Sequence, residues 1–494
     1  MALGDIAFVQ EPVDAGSKVP VITNWNPVIG YMLYQNNISA LFYFKLILEV
    51  RLTNGSGTLL AKMKQRRNGF SEDNDGATQR ARAFFDLRDI VNTQLVDTVY
   101  DQNDASAPFR SIHLLGASTV AKPFSVNGDI ENGKTQIAAI YVKGYQEYSE
   151  AANTSPAEDD TPSTNDTLYY LQASLPLLTP RSASDSYVQS DAFNDYHQGG
   201  SGDLFLSDVK SFAGDYNLSG YINYIQDTDY HTVAFLNDYS NFASDVDFIE
   251  VAYYNSSNAL IGSKQYIPNV SGNGGESPTD GSLTDAERLL YFGCGAANLE
   301  ASTVTPNGGS SGDAQPSNFS NWAYYTIRGT GNATGTIDYN TITYYFIKQD
   351  GSCKGFKVRR LAWRNTKGGY DYFNFKMKST QTLEFERNTY STLLGNYNAE
   401  KFNYNDSERG KTNRQTTAKL TETLNTDWIK EEQAQLLESL IGSTNVEMVK
   451  NSDTIYTQPV MITDTSFIKK TVANDKMIQY SIKIEYSNPV NTNS

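Results

Sequence analysis

Three histidines in 494 residues leave little room for the commonest acid–base and metal chemistry. His113, His197 and His231 stand far apart, and none has a cysteine or second histidine at metal spacing, so no zinc site is expected. The chain has no Gly-x-x-x-x-Gly-Lys-Ser/Thr phosphate loop, no Gly-x-Ser-x-Gly elbow and no His-Glu-x-x-His. Gly293-Cys-Gly295 is a lone glycine pair and reads as a turn. Asp227/Asp229 and Asp245/Asp247 are spaced like catalytic carboxylates, but 56 acidic residues generate such pairs by composition alone. Two segments place oxygen ligands as calcium loops do. In Asp215-Tyr-Asn217-Leu-Ser219-Gly220 the twelfth position is Gln226 in place of a bidentate glutamate, and in Ser71-Glu-Asp73-Asn-Asp75-Gly76 it is Arg82. Both read as polar turns. No catalytic residue, cofactor or metal is expected, and the chain is read as a non-enzyme.

What does stand out is basic charge in one place. Lys354, Lys357, Arg359, Arg360, Arg364 and Lys367 fall within fourteen residues of a chain whose net charge is −16. Phe356, Val358, Arg360 and Ala362 lie on one side of an extended chain, and Lys357, Arg359, Leu361 and Trp363 on the other. Lys367-Gly-Gly is a turn signal. Beyond it Phe373, Phe375 and Met377 alternate with Asn374, Lys376 and Lys378. The stretch is a β-hairpin with basic arms. Lys357, Arg359, Arg360, Arg364 and Lys367 are the candidate interface, a ridge that meets an acidic neighbour. The competing reading is the solvated edge of a core sheet.

The elements that must hold this hairpin are mostly strands. The chain is too long for one core, so two to four domains are expected. The 33 tyrosines and 23 phenylalanines, with many polar turn residues, favour a mainly β fold. The net charge and a pI of about 4.7 argue against a general nucleic-acid binder and against anionic membranes. Two cysteines, Cys294 and Cys353, are no disulfide scaffold; two buried thiols are expected, and a bond between them stays open. No basic-then-apolar leader and no run near the roughly 20 apolar residues of a membrane span are visible, so synthesis in the cytoplasm is expected.

In order, residues 1–150 read as an extended arm (1–24) followed by a β-sandwich-like domain. Its strands are expected at Phe42–Leu52, Leu59–Met63, Ala83–Leu87 and Ala138–Tyr148, with a short helix within Asp86–Val96. Residues 151–215 read as a linker or irregular segment, with the acidic, proline-containing run Ser149–Asp166 mobile. Residues 216–377 form a central β domain that ends with the hairpin and carries long polar inserts at 269–282 and 303–320. Residues 378–494 form a C-terminal α+β domain. Its one prominent amphipathic helix is expected at Asp427–Ile441, capped by Thr426 or Asp427 and ended by Gly442, before the terminal strand Ile478–Tyr486.

Trp363-Arg-Asn-Thr-Lys-Gly-Gly-Tyr-Asp-Tyr-Phe-Asn-Phe resembles a segment of tailed-bacteriophage structural proteins, where an asparagine, a double glycine and an aspartate–aromatic run join two strands. Asn26-Pro-Val-Ile with Phe84-Phe-Asp-Leu-Arg-Asp-Ile-Val, and Trp428–Leu440 followed by Pro459-Val-Met-Ile, resemble the same proteins. The resemblance implies a virion component of the tail, baseplate or neck. Such a protein assembles with its own copies in a ring and with neighbouring structural proteins. It implies no site, nucleic acid or membrane. The alternative is a receptor- or glycan-binding virion module, with exposed tyrosines such as Tyr253-Tyr254 or Tyr169-Tyr170 stacking on sugars.

Overall fold

The computed structural model describes residues 6–10, 21–22, 29–34, 38–52, 54–66, 72–75, 78–94, 124–125, 137–171, 173, 204–236, 248–268, 289–301, 303–304, 312–313, 321–330, 341–349, 355–398, 400–403, 407–408, 410–450, 456–464 and 478–487. The fold is mainly β, in several multi-stranded sheets with few helices. Two compact units emerge: Met1–Gln349 with Arg364–Asp371, and Asp350–Trp363 with Tyr372–Ser494. No helix among the described residues is long and apolar enough to cross a membrane.

The first unit contains two separate cores. In one, a four-stranded sheet (order Ile6–Gln10, Ile29–Tyr34, Thr78–Asp86, Glu72–Asp75) contributes Met32, Tyr34, Ala83 and Phe85. A five-stranded sheet (order Val21–Ile22, Ala157–Leu171, Ile137–Ser149, Phe42–Leu52, Leu59–Arg66) contributes Phe44, Leu46, Leu48, Val50 and Ile140. Alternate residues of Phe42–Leu52 fill this core because successive side chains leave a strand on opposite faces. The expected arm is partly built into the sandwich, since Ile6–Gln10 pairs with Ile29–Tyr34.

The linker reading of 151–215 fails at its start. Ala157–Leu171 is a 15-residue strand, antiparallel to Ile137–Ser149 from Ala157↔Tyr148 to Leu171↔Ile137. Its acids are neutralised by cations from other strands. Lys62 and Lys64 pair with Glu158, and Lys143 with Asp160 at 2.8 Å. Lys64 and Lys45 also meet Glu147. These ion pairs tie the acidic run to its neighbouring strands while Asp160 stays 64% exposed to solvent.

In the second core, a six-stranded sheet (order Ser211–Ala213, Ser219–Ile225, Tyr344–Lys348, Tyr324–Thr330, Phe248–Tyr254, Gln265–Pro268) contributes Tyr253, Tyr325, Tyr344 and Phe346. A three-stranded sheet contributes Val233, Phe235 and Phe292. Cys294 is buried here as a thiol, while Cys353 lies outside the described residues. The insert 269–282 and most of 303–320 lie outside them too.

The second unit is a seven-stranded sheet with the order Tyr370–Phe375, Arg359–Arg364, Val446–Lys450, Tyr456–Ile462, Ser481–Tyr486, Lys411–Asn425 and Thr380–Ser391. The hairpin arms therefore belong with the C-terminal sheet, and the boundary drawn at 377/378 is misplaced. Helix Glu431–Gly442 starts four residues later than expected. Thr426 and Ile429 are committed to the last strand instead: Thr426 Oγ1 accepts from the Tyr480 amide at 2.9 Å, and Ile429 and Ile478 exchange backbone bonds. The helix is entered at Lys430, whose amide donates to Gln433 Oε1 at 3.0 Å. Its buried face is Ala434, Leu436, Leu437 and Leu440. Gly442 is its last residue, with Ser443 as the extended cap.

Candidate functional site

The hairpin turn is fixed from the residues upward by side chains that imitate backbone. Asn365 Oδ1 accepts from the amides of Lys367 and Gly369, both at 3.0 Å, which closes an Asx turn. Gly368 takes φ 88°, where any other side chain is strained. Gly369 passes so close to the Leu206 carbonyl that a Cβ would sit 2.2 Å from it. Asn365 Nδ2 donates to that same carbonyl at 2.9 Å.

Two carboxylates complete the fastening. Asp208 accepts from the Thr366 amide at 2.7 Å and from Thr366 Oγ1 at 2.5 Å. Asp371 accepts from Ser207 Oγ at 2.6 Å and from the Asp208 amide at 2.8 Å. Burial, and then the Asp208 charge, push the Asp371 carboxyl up to about 7. Burial pushes the Lys367 ammonium down, against the pull of Asp208 at 3.8 Å. Ser207 Oγ donates to Asp371, and among the described residues no imidazole hydrogen-bonds to either side chain.

This geometry changes the meaning of the five candidate interface residues. Lys357 is exposed. Arg359 Nε donates to Glu422 Oε1 at 2.7 Å. Arg360 is buried, donates to Asn374 Oδ1 at 2.9 Å and lies 5.0 Å over the Tyr372 ring. Arg364 and Lys367 are buried as well. The fold does not present these residues together as a free basic ridge, because opposite faces of the strand each find partners within the chain. Glu422 is fully buried beside Arg359. Burial would raise its carboxyl, but hydrogen bonds from Tyr486, Gln381, Ser379 and Arg359 outweigh it and hold the group below the usual range.

The other sequence candidates separate likewise. Asp227 pairs with Lys348 at 2.9 Å, and buried Asp229 accepts from the Gln226 amide at 2.9 Å. Asp215–Asn217 is a 3-10 turn, and Glu72–Asp75 is a strand paired with Thr78–Asp86. His231 is buried edge-on to Phe346; His113, His197, Asp245 and Asp247 lie outside the described residues. Among the described residues no three His, Cys, Asp or Glu side chains converge as metal ligands. Tyr253 and Tyr170 are core residues. Tyr254 is half-buried, stacked on Tyr324 at 4.9 Å, with Tyr216 at 5.8 Å on the same ring.

The surface that sequence reasoning passed over is in the second unit. Thr380–Ser391 and Lys411–Asn425 pair along their whole length, but Ser481–Tyr486 pairs only with residues 421–425 of the latter. Past that point the two strands run on as a ribbon. Leu383 opposes Leu420, and Phe385 opposes Ala418. These pairs continue the face that carries Glu422 and Leu424, which oppose Ile484 and Ile482 in the buried part of the sheet. Among the described residues only the Arg387 guanidinium, 5.8 Å from the Phe385 ring, is seen to lie over that face: Leu383 is 43% and Phe385 49% exposed, and Leu393 beyond the strand is 89% exposed. The alternation Leu383-Glu-Phe385-Glu-Arg387 against Ala418-Lys-Leu420 was the available signal.

The chain matches no family model and, at a significant level, no curated protein.

Proposed function

We propose that this chain is a structural component of a tailed-phage virion, in the tail, baseplate or neck, and that it works by binding its own copies and neighbouring particle proteins. The observation that carries the reading is the ribbon. Exposed Leu383 and Phe385 on one face of the ribbon, with exposed Leu393 just past its end, are costly for a protein that stays alone in water, and such surfaces mark places where a partner sits. An acidic, sheet-rich chain whose turn residues resemble phage structural proteins fits that role. Its net charge of −16 keeps copies apart until a specific contact forms. Quantitative mass spectrometry of gradient-purified particles tests the reading. The chain is expected at a fixed copy number that is a multiple of a ring symmetry; its absence from washed particles refutes a structural role.

A second reading has one observation in its favour. The face of the six-stranded sheet opposite Tyr253 and Tyr325 carries half-buried Tyr216, Tyr254 and Tyr345 around buried Tyr324, Phe212 and Ile222. Aromatic platforms of this kind suit stacking on sugar rings. Glycan-array binding that is lost in Tyr254→Ala would favour a receptor-binding role.

A further inference from the structure

We infer that the ribbon of Thr380–Ser391 and Lys411–Asn425 is a clasp that docks on a second copy of this chain. The inference rests on the assembly reading above and names the partner. Three features of the ribbon identify it.

The first is continuity. In the body of the sheet the same face is closed: Leu424, Ile482 and Ile484 are buried, and Trp363 Nε1 donates to Ser439 Oγ on the helix at 2.9 Å. The helix ends at Gly442, and the ribbon carries the apolar pattern onward without it. A two-stranded hairpin is marginal alone and gains stability from a surface laid against it.

The second is size. The part that runs past the body of the sheet, residues 383–391, is about 30 Å long at about 3.4 Å per residue. With a width of about 10 Å, its two faces offer on the order of 600 Å², the low end of one partner's share of a specific interface.

The third is charge, and it selects the occupant. Residues 383–420 contain five acidic and six basic residues, a net of +1, which leaves −17 for the rest of the chain. Lys419 is paired with Glu485 at 2.6 Å. Arg387, Lys411 and Arg414 are exposed, and no acidic side chain among the described residues forms an ion pair with them. Three exposed cations, Arg387 among them 5.8 Å over the Phe385 ring, fit an acidic protein surface with apolar anchor points, and every other copy of this chain brings a net −17 body. A polyanion such as DNA would meet the three cations but be repelled by that body. An arm that grips the body of the next copy makes a heterologous contact, which closes into a ring when the rotation permits.

Sedimentation equilibrium of the full chain at low and moderate salt tests the clasp. The wild type is expected to self-associate, more weakly as salt rises. Lys411→Glu with Arg414→Glu, on exposed positions, is expected to weaken association by about tenfold or more while circular dichroism and melting temperature stay unchanged. Leu383→Ser with Phe385→Ser is expected to do the same; should that variant misfold, the charge pair decides. A wild type that remains monomeric at every attainable concentration overturns the clasp, as does a charge-reversed variant that associates like the wild type. So does binding of the ribbon to DNA or to a different particle protein in place of the chain itself. Particle mass spectrometry separates the two levels. A chain found in particles with no self-association refutes the clasp alone, and a self-associating chain missing from particles refutes the virion role alone.

Discussion

At the scale of single residues, Asp371 carries the sharpest consequence. Its carboxyl is raised from the ordinary aspartate value to about 7 because it is fully buried beside Asp208. A raised acid binds its proton more tightly in the folded state than in the unfolded one. Folding stability from this group is therefore fully present below about pH 4 and is lost as pH climbs to about 7. Glu158 works in the opposite sense: hydrogen bonds from Lys62 and Lys64 lower it to about 2, so its contribution is present above the ordinary glutamate value and fades as pH falls toward 2. The two windows meet only between about pH 4 and 4.5, so a fall in stability between pH 4.5 and 7 is not due to Glu158. Asp371→Asn imitates the neutral acid, since its oxygen can accept from the Asp208 amide and its nitrogen donate to Ser207 Oγ, which turns to receive it. Urea titrations across pH 4.5–7 are expected to show a falling stability for the wild type and a flat profile for the variant. A parallel fall in both would mean that another group titrates. Nothing in the sequence exposes this role, because Ser207 precedes Asp371 by 164 residues.

At the scale of elements, the terminal strand is the firmest test. Ile482 is buried and opposes Leu424, and Ile484 opposes Glu422 on the same face. Ile482→Asp puts an unpaired charge into that core and should cost several kcal/mol, about 3–5. Unchanged denaturation midpoints would place the strand elsewhere. This element was legible because period-2 alternation survives without knowledge of its neighbours, as it does in Phe42–Leu52. The acidic stretch from Ser149 to Asp166 was not legible. Its alternation is weak, and the lysines that make it a strand sit at positions 62, 64 and 143, on strands that only the fold brings alongside. The helix start was misread for a related reason. Thr426 is a good capping residue by type, but its hydroxyl is taken by Tyr480. The basic hairpin was legible as an element and opaque as a site, since a strand pattern cannot say that Glu422, 63 residues after Arg359, waits on one of its faces.

At the scale of the molecule, the chain crosses between its two units twice within ten residues, entering the first at Arg364 and leaving it after Asp371. A boundary drawn from sequence at one point cannot express that, because loops are normally assigned to the domain of their flanking strands. The consequence is that residues 1–349 are not a complete unit. Without 364–371, Leu206 loses the Asn365 side chain, Asp208 loses both bonds from Thr366, and Ser207 and the Asp208 amide lose Asp371. Five hydrogen bonds at about 1 kcal/mol each put the deficit at roughly 5 kcal/mol before any packing around Gly369 is counted. A fragment ending at Gln349 should therefore unfold at markedly lower denaturant than the corresponding part of the full chain. Hydrogen exchange localises the effect: the Asp208 amide, protected by Asp371 in the full chain, should exchange far faster in the fragment, while Val142 and Leu48 in the other core of that unit keep their protection. Equal protection of Asp208 in both would mean that the turn adds nothing to the first unit, and that the whole hairpin belongs with the strands that follow it.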